Sequence, residues 1–81
     1  MNTGLFEKGK TYCTWTRAGE LRLFKATNVL RRKSTGERVF VVGIFNGKAE
    51  QRYEIRRAKD GTEYIIPDSR YSLVVTAEEY K

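Results

Sequence analysis

The chain has 81 residues, with 16 Lys and Arg against 10 Asp and Glu, no histidine and one cysteine, for a net charge of +6. That length holds one domain with a small core. A lone cysteine excludes an internal disulfide framework, and the missing histidine excludes a Ser-His-Asp triad, a Cys-His pair and a His-ligated metal. The expectation is a non-enzymatic domain over residues 1–81 that uses no cofactor and no metal and works by binding.

Residues 1–9 read as a lead-in. Gly4-Leu5-Phe6-Glu7-Lys8-Gly9-Lys10-Thr11 fits the phosphate-loop pattern letter for letter. That loop needs a strand before it and a helix after it, so that backbone N–H groups converge on phosphate. Here the β-branched and aromatic run Tyr12-Cys13-Thr14-Trp15-Thr16 follows, which predicts a strand and leaves the pattern as a glycine-permitted turn. No apolar leader run is present, and Asn2 stands where myristoylation needs glycine. A cytoplasmic location with no membrane association is the expectation.

The first strand is predicted over 10–17. The second, over 21–32, is long, and its apolar phase slips near Ala26-Thr27-Asn28, which predicts a bulge. The third, over 38–45, is nearly continuous apolar sequence and the best central strand. Asn46-Gly47 then supplies the pair that a type I′ hairpin wants. Residues 48–57 are ambiguous. Ala49 to Arg52 favours helix by propensity, but Tyr53 and Ile55 sit two apart and alternate with Arg52, Glu54 and Arg56, so a fourth strand is predicted. A fifth covers 62–66 and stops at Pro67, a sixth covers 72–76, and 77–81 is a tail.

This spacing of short strands predicts an all-β fold, a small single-domain antiparallel barrel of five to six strands, SH3-like or OB-like. Residues 63–74, Glu-Tyr-Ile-Ile-Pro-Asp-Ser-Arg-Tyr-Ser-Leu-Val, resemble the end of SH3 domains. There a strand runs into proline, a 3₁₀ turn ends on tyrosine and a last strand follows. The resemblance implies an SH3-like roll and no peptide specificity, because the tryptophan pair of the SH3 peptide groove is missing.

Charge is unevenly spread: net +8 over residues 17–59 and −3 over 60–81. One cluster is the hairpin tip with Arg31, Arg32, Lys33 and Arg38. A second is Arg52, Arg56, Arg57 and Lys59, and Arg22 and Lys25 extend the strip if the second and fourth strands lie close. Such a block reads as a footprint for nucleic acid. Trp15 and Phe24 are the candidate stacking rings. Trp15 shares a strand face with Cys13, which favours a core position, and serves as a platform only if exposed. Two functions compete. One is nucleic-acid binding through the Arg-rich surface. The other is a protein-interaction module, an adaptor or inhibitor, that docks on an acidic protein surface. The chain is expected to be a monomer, or a homodimer paired through a sheet edge.

Overall fold

Period-two alternation dictates strands, and the computed structural model, which describes residues 4–68, 70 and 73–78, shows seven among them. They are β1 (Thr11–Trp15), β2 (Leu21–Arg31), β3 (Arg38–Phe45), β4 (Gln51–Glu54), β5 (Arg56–Arg57), β6 (Glu63–Asp68) and β7 (Leu73–Thr76). Two antiparallel sheets result, ordered β1-β2-β3-β4 and β5-β6-β7. Among the described residues, no ladder joins them into a closed ring; they meet through side chains, β1 approaching β7 and β4 approaching β6. No helix of the described residues is long and apolar enough to cross a membrane.

β3 matches its sequence bounds, and β2 carries the expected bulge, with a register shift between Ala26 and Asn28. Thr27, the extra residue, donates its hydroxyl to the Val42 carbonyl at 3.2 Å, so the irregularity is tied down. Asn46 and Gly47 have φ of 52° and 73°, and the Lys48 N–H reaches the Phe45 carbonyl at 3.0 Å, as a type I′ turn requires. Gly47→Ala is expected to cost about 1–2 kcal/mol in urea denaturation, since a Cβ disfavours the left-handed region.

Two predicted strands are corrected. The run over 48–57 is not one strand: residues 48–50 lie outside the ladder, and Ile55 is a corner. The Ile55 N–H still bonds the Val39 carbonyl at 2.8 Å, and its side chain is buried, but Arg56 already pairs with Tyr64 of the second sheet. Burying Ile55 between the sheets forces the chain across at that residue. Pro67 does not end its strand either, because β6 runs on to Asp68. The ladder with β7 is irregular between Ile65 and Asp68, where a residue without an N–H is tolerated. Ser69, Tyr71 and Ser72, the expected 3₁₀ turn and the start of the last strand, lie outside the described residues.

The two sheets share one core: Tyr12, Phe24, Ala26, Val41 and Phe45 from the first, Ile65, Val75 and Ala77 on the second, with Ile55 at the corner. Phe6 lies at its centre with no exposed surface, edge-on to Tyr12 at 5.0 Å and to Phe24 at 6.0 Å. Residues 4–9 are therefore part of the fold, not a lead-in, and Ala77 belongs to the core, not to a tail. The Gly4 carbonyl accepts the Glu63 N–H at 2.8 Å, and the Lys10 N–H closes a turn on the Glu7 carbonyl at 3.2 Å. The phosphate-loop pattern thus leads through a glycine turn into β1, and no helix follows it.

Candidate functional site

Hairpin connectivity decides where loop cations gather. In an antiparallel order β1-β2-β3-β4, the β1–β2 and β3–β4 turns share one end and the β2–β3 turn lies at the other. Arg22 and Arg31 are nine residues apart on β2, roughly 30 Å at ~3.3 Å per residue. The predicted strip of cations is therefore divided between two ends.

At the end of the β2–β3 turn, Arg31, Arg32 and Lys33 are exposed. The Arg31 Nη1 group donates to the Gly36 carbonyl at 3.0 Å, which fixes the tip. Arg57 joins this end, with Nη2 on the Arg38 carbonyl at 3.1 Å and Nη1 3.5 Å from Glu37 Oε1. Arg38 does not face solvent. It meets the fully buried Glu63 carboxylate, with Nε on Oε2 and Nη2 on Oε1 each at 3.0 Å, and Nη2 also donates to the Phe6 carbonyl. A guanidinium so committed is structural, and Arg38 leaves the candidate interface. Glu63 was missed because its partners lie far away in sequence; the one local hint is an acid at an inward-phased strand position.

Arg52 and Arg56 stand on the fourth run as expected but apart in role. Arg52 packs its guanidinium 5.1 Å from the centre of the Phe40 ring, and Arg56 lies 3.7 Å from Glu54. Lys25 is exposed in the middle of the first sheet, between Thr11 and Ile44.

Both aromatic expectations change. Phe24 is completely buried and touches Phe6 and Tyr53 edge-on, so its ring offers no platform. Trp15 is 61% exposed. It does share a face with Cys13, but that face is the outer one, because Tyr12 and Phe24 occupy the inner. Tyr53, half-buried against Phe24, has its phenol pushed above the ordinary value by desolvation and stays neutral. Asp60 has its carboxyl held below the ordinary range by the Thr62 N–H on Oδ1 at 2.9 Å. That bond fixes the β5–β6 turn.

The opposite end holds what sequence reasoning missed. A cleft of about 560 Å³ opens there, with Phe45 and Leu73 among its lining and Arg17, Arg22, Lys48 and Arg70 around them. Among the described residues Glu20 is the acid in the lining, and it accepts from Arg22 Nη2 at 3.1 Å. Arg17 and Lys48 come from the β1–β2 and β3–β4 turns, and Arg70 from the segment between β6 and β7. The alternation of turns was enough to bring Arg17 and Lys48 together, whereas Arg70 needed the packing of the second sheet. Trp15 ends β1 at the same end of the sheet, two residues before Arg17, but its exposed ring lies on the outer face and outside the cleft's lining. A cleft of this size holds a small anionic ligand or one or two nucleotides. No protein-family model matches the chain, and neither a curated protein nor a solved structure matches it.

Proposed function

We propose that the protein is a non-catalytic, cytoplasmic binding domain, a small barrel of SH3-like or OB-like kind, that holds a single strand of nucleic acid. The carrying observation is the convergence of Arg17, Arg22, Lys48 and Arg70 on one cleft, with the exposed Trp15 on the outer face at the same end of the sheet. Guanidinium and ammonium groups take phosphate oxygens, and an indole face takes a base, which is how single strands are held without sequence readout. The approach of β1 to β7 supports a rolled sheet of barrel kind.

Trp15 is the sole tryptophan, so its fluorescence reports on the site directly. A twelve-nucleotide single strand is expected to quench it on binding. With three or four phosphate contacts, affinity should fall about 100- to 600-fold between 50 and 500 mM salt. Arg17→Glu with Lys48→Glu should weaken binding of a labelled oligonucleotide at least ~10-fold, since each removed contact also becomes a repulsion. Trp15→Ala should weaken it ~5- to 100-fold through lost stacking, and Arg32→Glu with Lys33→Glu at the far end should leave it unchanged. Binding that ignores salt, or that follows the far end instead, defeats the reading.

The far end has a different character. Arg31, Arg32 and Lys33 stay exposed on a turn there, beside the Arg57–Glu37 pair, and a projecting cationic tip complements an acidic protein surface. That supports the second reading, a protein-interaction module.

A further inference from the structure

A sheet has two faces, and residues paired across strands point the same way. The first sheet's inner face is the core. On its other face, Leu21 stands opposite Trp15 and Leu23 opposite Cys13, Leu30 opposite Phe40, and Val42 opposite Arg52, with Ile44 opposite Lys25. Six large apolar residues, Leu21, Leu23, Leu30, Phe40, Val42 and Ile44, thus share the outer face. Each is exposed or half-buried, whereas Tyr12, Phe24 and Val41 beneath them are buried. A soluble domain gains nothing for its own core from apolar residues on that side, and a contiguous patch of this kind marks a docking surface.

Charge and area select the occupant. The charged groups within the face are Lys25, Arg52 and Glu54, and Glu54 already lies 3.7 Å from Arg56. The face is therefore cationic, and a second copy laid on it would set Lys25 and Arg52 against their own kind. Its footprint, about 30 Å along β2 by about 10 Å across the three strands that lie abreast at any level, is roughly 300 Å². That is well short of the ~800 Å² per partner of a standard stable interface. It matches one side of a helix about 10 Å wide and some twenty residues long. We propose that the outer face of the first sheet docks an acidic amphipathic helix of a protein partner. Apolar side chains at i, i+3, i+4 and i+7 would cover Leu23, Leu30, Val42 and Ile44, and flanking carboxylates would meet Lys25 and Arg52. This surface meets the proposed polyanion site only at its Trp15 end, and the residues covered by the helix, Leu23, Leu30, Val42 and Ile44, are not in the cleft's lining, so one domain would carry both a polyanion site and a tether.

The test uses isotopically labelled protein and two synthetic eighteen-residue helical peptides with identical leucines, one carrying glutamate and the other lysine at the flanking positions. The acidic peptide should shift the amide resonances of Leu23, Leu30, Val42 and Ile44, and the lysine peptide should bind at least tenfold more weakly. Leu23→Glu should abolish binding. Lys25→Glu, an exposed change that leaves the packing alone, should weaken the acidic peptide at least fivefold and strengthen the basic one. The proposal is overturned if the acidic peptide moves none of these resonances, or if both peptides bind equally. It is also overturned if the protein sediments as a dimer and the same resonances move on dilution.

Discussion

Replacing Glu63 by glutamine is expected to destabilise the protein by about 3–5 kcal/mol, the usual cost of breaking one half of a buried ion pair. The Glu63 side chain has no exposed surface, and its partner Arg38 retains 16%. Its carboxylate takes the Phe6 N–H at 2.9 Å as well as both Arg38 groups. A glutamine keeps one acceptor oxygen but places an NH₂ against the guanidinium, leaving the Arg38 charge desolvated without an answering one. The cost comes from that orphaned charge more than from lost attraction, so the partners should behave unequally. Arg38→Met alone should be severe, and Arg38→Met combined with Glu63→Leu milder than the sum of the singles by 1 kcal/mol or more. Arg57 lies 3.7 Å from Glu63 but is 41% exposed, so Arg57→Ala should cost under about 1 kcal/mol. Urea denaturation of the parent, Arg38→Met, Glu63→Leu and the double variant completes the cycle. A Glu63→Gln loss below 1 kcal/mol would show that the charge is not what joins the sheets.

Gly43→Ala is expected to cost about 3 kcal/mol, the upper end for overpacking a filled site, which lowers the melting temperature by roughly 12–24 °C in a domain of this size. Gly43 has an ordinary backbone conformation, so its glycine is required by space alone. A Cβ there would lie 2.4 Å from the Lys25 carbonyl oxygen and 2.6 Å from Phe24 Cζ. The Phe24 ring could swing aside, but a neighbouring strand's backbone yields only by moving β2 away from β3. Phe24→Leu should therefore fail to rescue Gly43→Ala. A melting temperature within 4 °C of the parent for Gly43→Ala would refute this close approach.

Local chemistry made much of the fold readable. The bulge at Ala26–Asn28 and the turn at Asn46-Gly47 each left a mark within a few residues, a phase slip in one case and a left-handed pair in the other. What stayed hidden depended on which face of the first sheet is the core. Both faces are apolar: Phe24, Val41 and Phe45 on one, Leu23, Val42 and Ile44 on the other. Alternation alone does not rank them, and that is why Phe24 went inward and Trp15 outward. Ile55 and Pro67 escaped for a related reason, since a corner between sheets and a gap in a ladder depend on partners elsewhere. The basic clusters were legible as composition. Their division between two ends followed from hairpin geometry, and the withdrawal of Arg38 followed from a carboxylate 25 residues away.

The bracket around Phe6 also sets an order of events during synthesis. Its N–H is held by a side chain 57 residues downstream, and its neighbour Gly4 receives the backbone of the same residue. At ~5–20 residues per second, about 3–11 s pass between the appearance of Phe6 and that of Glu63. β1, β2 and β3 can all pair only in the last part of that interval, once Phe45 has been made, and until β6 arrives the aromatic cluster of Tyr12 and Phe24 lacks the sheet that covers it. The growing chain therefore presents apolar surface on both sides of one sheet until the ribosome has delivered β6, and Gly4 and Phe6 gain their Glu63 bonds only after it.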